Sequence, residues 1–459
     1  MGTNRTPGGD FYRGNRRQLV AMVEFADQAF AEDQYATLER WENIFNATDY
    51  AEGAFAGSVH DYFYAQSYGQ FNLSFDLQYV ALSDNRSKYR STSADDENSQ
   101  YLVNDVMDIL QQRDIDWSLY DWNGDGYVNQ LLIIFAGKGS GYGGFGGGYD
   151  AIWPHQWWLS EHLKDGSSAQ YCEPRVVERD GKQYLVDCYC ALQELYADGG
   201  YGSFGLICHE YSHCFGFPDF YNGSASVVSG WDLMDRGNYN GNGLVPCGYS
   251  AHERWLMGWL TPMELTGDTL VADMAALCDE PQAYLVRSSW SDSEYFIIEN
   301  RQRKAWDAEL PGSGIVVFHI DYDPSVWASA QETPNSGSYV VDGKTIVGKR
   351  YSIVPANDKT SSLYQAAWAY PYAENNMLTD SSVPAARLNR ANAAGDRLMG
   401  KPLTDMAVSN GLASFAFMHS PTKVTSAVAG AAGYQQLLYE LGPIRIVRDG
   451  NGIVKKMFK

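Results

Sequence analysis

Apolar residues fall into two textures along this chain. Up to about residue 265, unbroken apolar runs alternate with segments of helical period, and from about residue 268 short alternating runs follow one another with only polar turns between them. RQLVAMVEFADQAF (17–30) predicts a buried strand running into a loop, because its apolar stretch is continuous and ends in polar residues. SVHDYFYAQSYGQFNLSFDLQYVAL (58–82) predicts a helix bearing aromatic residues and a structural His60, a stop at Gly69, and an alternating strand from Phe71 onward. SQYLVNDVMDILQQRD (99–114) has helical spacing, and YVNQLLIIFAG (127–137) reads as a second buried strand. Beyond residue 268, QAYLVRSS, SEYFIIEN, GIVVFHID, YSIVPA and LASFAFM read as strands without amphipathic helices between them, which makes this part β-rich. The end, YQQLLYELGPIRIVRDGNGIVKKMFK, predicts a last strand pair turning at Asp-Gly-Asn-Gly.

Charge narrows the partners. Acidic residues outnumber basic ones by 56 to 34, and the net charge of -22 argues against nucleic acid or an anionic membrane as the main partner. SADDENSQ (93–100) reads as a solvated loop. No stretch approaches the ~18 consecutive apolar residues of a membrane span, so no integral membrane segment is expected. The polar start, MGTNRTPGGDFYRGNRR, carries no apolar signal-peptide core. Seven cysteines form no CxxC pair and no disulfide framework, and most read as small core residues. GKGSGYGGFGGGYD (137–150) contains GxGxxG twice, but YDAIWPHQWW follows where a dinucleotide fold needs a helix, so it reads as a flexible loop.

The chemistry concentrates in SFGLICHEYSHCFG (203–216). The stretch lacks proline and permits a helix, which sets His209 and His213 four residues apart on one face, within reach of one metal ion. Zinc suits imidazole nitrogen, and a catalytic zinc takes three protein ligands with a fourth position left for water. Gly216 ends the helix, Pro218 prevents its continuation, and Asp219 is the expected third ligand. Glu210 is expected to take the proton of the zinc-activated water and pass it to the leaving amine, so that no serine or cysteine nucleophile is needed. Cys208 and Cys214 flank the ligands but lie elsewhere on the helical wheel. Downstream, GWDLMDRGN places Met234 in a tight turn of the kind that floors the zinc site of metzincin-like peptidases.

The chain resembles the immune inhibitor A family of zinc metallopeptidases. The resemblance is carried by HEYSHCFGFPDFY, GWDLMDRG, DWNGDGYVNQLLIIFAGKG and IWPHQWW, and by PCGYSAHERWLMGWL, EYFIIENRQ and LPGSGIVVFHIDY, and covers about residues 17 to 420. It implies a secreted or cell-surface endopeptidase that binds Zn2+ and Ca2+ and acts on protein or peptide substrates. His209, His213 and Asp219 map onto the zinc motif and Glu210 onto its catalytic glutamate. Metzincins more often show histidine as the third ligand, so a carboxylate from elsewhere or a water stand as alternatives to Asp219. The tyrosine that some relatives carry two residues after the methionine is replaced by Arg236, with Tyr239, Tyr249 and His252 as substitutes.

The expected fold class is α+β: a metzincin-like zinc peptidase module with a central twisted sheet and an active-site helix, followed by a β-rich, sandwich-like domain. Its expected divisions are a flexible leader (1–16), the catalytic domain (17–265), the β-rich domain (266–420) and a strand-rich tail (421–459) that loosely resembles sorting tails of secreted proteins. DWNGDGYVN (121–129) offers Asp121, Asn123 and Asp125 at alternate positions with Gly126 at the sharp turn, as at the start of a calcium loop, although Leu132 stands where an EF-hand places its glutamate. LLIIFAG is the expected strand at the substrate rim. Asp10 is a candidate for occupying the metal in a latent form. The alternative function is a catalytically silent, calcium-braced binding or adhesion protein.

Overall fold

The computed structural model describes residues 8–90, 98–140, 151–162, 168–196, 198–201, 204–223, 225–329 and 333–419, and three strands in the tail. The first unit is built on strands β1 (Gly14–Glu24) and β2 (Phe71–Ala81), with helices α1 (Gln34–Asn46) and α2 (Val59–Gln66) between them. Helix α3 (Ser99–Leu110), β3 (Leu131–Lys138), β4 (His155–Trp158), β5 (Cys188–Leu195), α4 (Phe204–His213) and α5 (Ala251–Leu256) follow. A reciprocal Ser58–Asp61 capping box starts α2, and Gly69 lies at φ +75° before β2, as the sequence predicts.

The strands order as β2-β1-β3-β5-β4, parallel except for β4, which runs antiparallel on β5 with His155 opposite Ala191. Strand β3 reads as continuous apolar sequence because both its faces are covered. Leu132, Ile134 and Ala136 enter the core that also holds Ile207 and Tyr211 of α4, while Leu131, Ile133 and Phe135 pack with Leu102 and Val106 of α3. The expectation that LLIIFAG forms a rim strand is therefore corrected. Its backbone groups pair on both sides, and β4 is the antiparallel edge.

The second unit carries β6 (Met263–Glu264), β7 (Thr269–Met274), β8 (Tyr284–Arg287), β9 (Glu294–Arg301), β10 (Gly314–Asp321), β11 (Tyr351–Ile353), β12 (Leu403–Ser409) and β13 (Leu412–Phe417). One sheet orders as β11-β10-β9-β8-β6 and another as β7-β13-β12. An apolar layer that includes Phe296, Ile298, Val317, Met406 and Phe415 lies between them. The opposite face of β10 gives Val316, Phe318 and Ile320 to the same cluster as Ile207 and Met234, so one core runs across residue 265.

The expected flexible leader also needs correction. Within the described part of that leader, Tyr12 is buried and β1 begins at Gly14, although Gly9, Asp10 and residues 13–15 are exposed. Tyr12 is fully buried, its hydroxyl donates to Cys214 O at 3.1 Å, and Trp259 Nε1 donates to Tyr12 O at 2.9 Å. An aromatic ring in an otherwise polar segment suffices to anchor it. Asp10 lies in the turn before Tyr12. In the tail, Gln436–Leu441, Ile444–Arg448 and Val454–Phe458 form a three-stranded antiparallel sheet rather than a strand pair. The Asp-Gly-Asn-Gly turn lies outside the described residues, as does most of the glycine-rich loop, residues 141–150.

A buried ionic cluster ties the two units together. Arg301 on β9 donates to Asp307 through Nε (2.8 Å) and Nη2 (2.7 Å), to Glu299 Oε1 (3.0 Å), and to the carbonyls of Gly248 (3.0 Å) and Trp231 (3.3 Å). Glu299 in turn accepts Ala251 N, and Asp307 accepts Gly248 N. Replacing Arg301 with methionine strands two buried carboxylates. The expected loss is about 3–5 kcal/mol of unfolding free energy, read from urea denaturation of the full chain.

Candidate active site

Helix α4 buries Leu206, Ile207, Cys208 and Tyr211 in the core and turns His209, Glu210 and His213 toward one point. Its N-terminal turn lies close against residues 237–243. A Cβ on Gly205 would stand 2.0 Å from Asn238 O, so only glycine permits this approach. The helix ends as the sequence predicts: Gly216 at φ +89° donates to His213 O at 2.9 Å, and Pro218 follows. Cys208 and Cys214 are buried core thiols, each pushed to a higher pKa by burial.

The returning chain brings Asp219 back to the histidines. Asp219 Oδ1 lies 3.1 Å from His209 Nε2 and 3.6 Å from His213 Nε2, and Glu210 Oε2 lies 3.8 Å from His213 Nε2. The other ring nitrogens are committed elsewhere. His209 Nδ1 is 2.8 Å from Leu233 O and His213 Nδ1 is 2.7 Å from Phe217 O, so each ring donates there and directs its Nε2 at Asp219. Asp219 Oδ1 is buried, and the two Nε2 atoms are the partners that stand within reach of it. Two imidazole nitrogens and an otherwise unsatisfied carboxylate oxygen at one point form a donor set that fits zinc. Among the described residues, His209, Glu210 and His213 form a cluster of three side chains close enough to share an ion, and Asp219 stands against both histidines.

The electrostatics reflect this crowding. Burial lowers the pKa of His209, but the Asp219 hydrogen bond and the charges of Glu210 and Asp219 outweigh it and push it up to about 9. Burial raises the Glu210 carboxyl, with the nearby histidines opposing only in part. Asp219 is lowered despite burial, because His213 and the His209 hydrogen bond favour its charge.

Met234 is fully buried in a tight turn in which Asp235 N and Gly237 N both donate to Asp232 O. The turn serves the site through its backbone: Leu233 O receives His209, and Met234 O receives Phe220 N at 2.8 Å. Of the three substitutes for the tyrosine absent at Arg236, two are committed to the interior. Tyr249 is fully buried with its hydroxyl on Ser212 Oγ, and His252 is fully buried among Trp255, Tyr295, Tyr322, Trp327 and Tyr351. Tyr239 is 38% exposed. Two further residues belong to the surroundings. Burial raises the pKa of the Tyr221 phenol and the Asp219 carboxylate adds to the rise, a proximity legible only from its place two residues after Asp219. His155 on β4 acts electrostatically on Glu210, and no sequence spacing announces that proximity.

At the second predicted metal site, Asp121, Asn123 and Asp125 share one turn. Asp121 Oδ2 accepts Gly126 N at 3.0 Å, Asp125 Oδ1 accepts Tyr127 N at 2.8 Å, and Asn123 Nδ2 donates to Asp125 Oδ2 at 3.0 Å. Asp121 Oδ1 is buried without a partner, while Lys182 Nζ stands 3.6 Å from Oδ2.

Comparison with known proteins bears on the same part of the chain. The immune inhibitor A peptidase M6 catalytic domain model matches residues 15–258. Pre-pro-metalloprotease PrtV of Vibrio cholerae serotype O1 (strain M66-2) is 26% identical over 274 residues, which is 51% of this chain and 28% of PrtV. Immune inhibitor A of Bacillus thuringiensis subsp. alesti is 25% identical over 289 residues, 53% of this chain and 40% of that relative. The chain thus spans less than half the length of either relative.

A pH dependence follows for the chelator-treated protein. The folded pKa of His209, about 9, lies above its ordinary 6.5, so the stability it contributes is complete below pH 6.5 and is lost as pH rises through 9. The urea midpoint of chelator-treated protein is expected to fall between those pH values, and the fall should be smaller in His209→Asn.

Proposed function

The chain belongs to the immune inhibitor A peptidase family, M6, and from that premise we propose that it is a secreted zinc-dependent endopeptidase that hydrolyses peptide bonds of protein substrates. The observation that carries this reading is the approach of His209 Nε2 and His213 Nε2 to Asp219 Oδ1, with the Glu210 carboxyl beside them. In this reading His209, His213 and Asp219 hold the ion. A bound zinc ion supplies Lewis acidity, lowering the pKa of a water to about 7 and polarising a carbonyl.

The chain's own groups do the rest. Leu233 O and Phe217 O hold the two imidazoles in the tautomer that leaves Nε2 free. Glu210 accepts a proton from the attacking water and returns it to the amine nitrogen as the C–N bond breaks. Its burial-raised pKa suits a group that must carry that proton between the two steps. The antiparallel edge strand β4 is the strand along which an extended substrate would lie, since its residue His155 acts electrostatically on Glu210. Tyr239, exposed and acting electrostatically on Tyr221, is the remaining candidate of the three for stabilising the oxyanion. Met234 serves as the floor of the site. Residues 17–265 act as the catalytic domain and residues 266–420 as the β-rich domain, which packs against it through a common core. Asp121, Asn123 and Asp125 hold a structural calcium ion, for which the unpartnered Asp121 Oδ1 is the supporting observation.

The purified chain is expected to fragment unfolded casein on a gel. Glu210→Gln should lower the rate by about 10²- to 10⁴-fold while keeping its zinc, measured by metal analysis; equal rates would refute the assignment of Glu210. A chain that holds zinc and cleaves nothing would return the silent-scaffold reading. Calcium is expected to raise the melting temperature of the wild-type chain and to leave that of Asp121→Ala unchanged.

A further inference from the structure

Asp219 reaches the histidines on a segment that α4 does not control. Past Gly216 the chain leaves the helix, and residues 333–351 hold much of the backbone around Asp219, although they lie outside the stretch matched to the catalytic domain model. The carbonyl of Phe220 accepts from Asn335 Nδ2 at 2.8 Å, and that of Tyr221 accepts from Thr333 Oγ1 at 3.2 Å. The Phe220 ring lies on the ring of Tyr351, with centroids 3.8 Å apart and planes at 18°. Asn335 is itself fixed, since Nδ2 also donates to Tyr351 O at 2.7 Å and Oδ1 accepts Tyr351 N at 3.0 Å. Both Asn335 and Tyr351 are fully buried.

The far end of Tyr351 meets the element that orients His209. Its hydroxyl lies 2.8 Å from Asp232 Oδ2 and 2.8 Å from Ser250 Oγ. Asp232 Oδ1 accepts Met234 N at 2.9 Å and so shapes the turn whose carbonyls receive His209 Nδ1 and Phe220 N. One side chain therefore touches both paths: its ring the segment that bears Asp219, its hydroxyl the turn that holds His209. Apolar filling would serve a core equally well without an amide or a hydroxyl. A planar amide that bonds two backbones fixes their register, which a packed hydrocarbon leaves free to slide.

We propose that Asn335 and Tyr351 are positioning residues for the metal site, through which the β-rich unit sets where Asp219 Oδ1 stands relative to His209 Nε2 and His213 Nε2. This rests on the reading that those three residues hold zinc. Neither residue touches substrate, and both act through Phe220 and the Asp232–Met234 turn.

The test uses the full chain as wild type, Asn335→Ala, Tyr351→Phe and His213→Ala. Zinc release to an excess of chelating dye and the visible spectrum of the Co(II)-substituted protein are measured alongside melting of the metal-free proteins. Release is expected to be roughly 10- to 100-fold faster in Asn335→Ala and Tyr351→Phe, with displaced cobalt bands. Wild-type release and spectra in both variants, whatever their melting temperatures, would overturn the inference, because a merely structural role lowers melting without altering metal geometry. Should Asn335→Ala fail to fold, Tyr351→Phe decides alone, since it keeps the stacked ring and removes one oxygen. If the wild type binds no zinc, or His213→Ala binds it equally well, the zinc reading itself fails and takes this inference with it.

Discussion

The site turns on one carboxylate oxygen kept out of water that depends on the two histidines for its partners. Asp219 Oδ1 has only the two Nε2 atoms before it, and those atoms face it because their ring partners are fixed on carbonyls. Burying such an oxygen is costly unless a positive charge meets it. Without metal, a proton on His209 fills that role; in the proposed metal-bound state, the ion would. Proton and cation therefore compete for one arrangement of side chains, and the rest of the fold serves to keep that arrangement from relaxing.

Two polar clusters do this work from the β-rich side. Arg301 satisfies Glu299 and Asp307 while binding the carbonyls of Trp231 and Gly248, which flank the Met234 turn and the start of α5. Tyr351 and Asn335 act on the Asp219 segment. Each cluster is almost fully satisfied within itself, and each bridges the boundary near residue 265. Apolar contact across that boundary supplies adhesion through Val316, Phe318 and Ile320. The directional bonds supply registration, which adhesion alone lacks.

How much of this could be read from the chain follows from the range of each interaction. The helix with His209, Glu210 and His213, its end at Gly216 and Pro218, and the return to Asp219 are local, and spacing with backbone rules describes them. The buried strands were equally plain. Strand β4 was not, because HQWW becomes a strand only where β5 leaves an edge free. The interior fate of His252 depends on aromatic neighbours from β9 and β11 and that of Tyr249 on Tyr62, Phe217 and Trp259, and no periodicity encodes them. Asn335 was invisible for the same reason: its bond to Phe220 crosses 115 residues, and an asparagine in a polar turn reads like any other. Tyr12 shows the opposite error, where polar composition concealed one anchoring ring.

The order of these parts along the chain has a consequence in time. Synthesis delivers α4 well before β11, and the parallel strands with long-range pairings that support α4 are themselves slow to assemble. With Asn335 and Tyr351 placing Asp219, a nascent chain that displays both histidines still lacks the geometry of its last donor. Under the proposed function, a growing chain would complete its metal site only after the segment reaching residue 351 has emerged and docked, so the layout itself would delay activity until the chain is nearly finished.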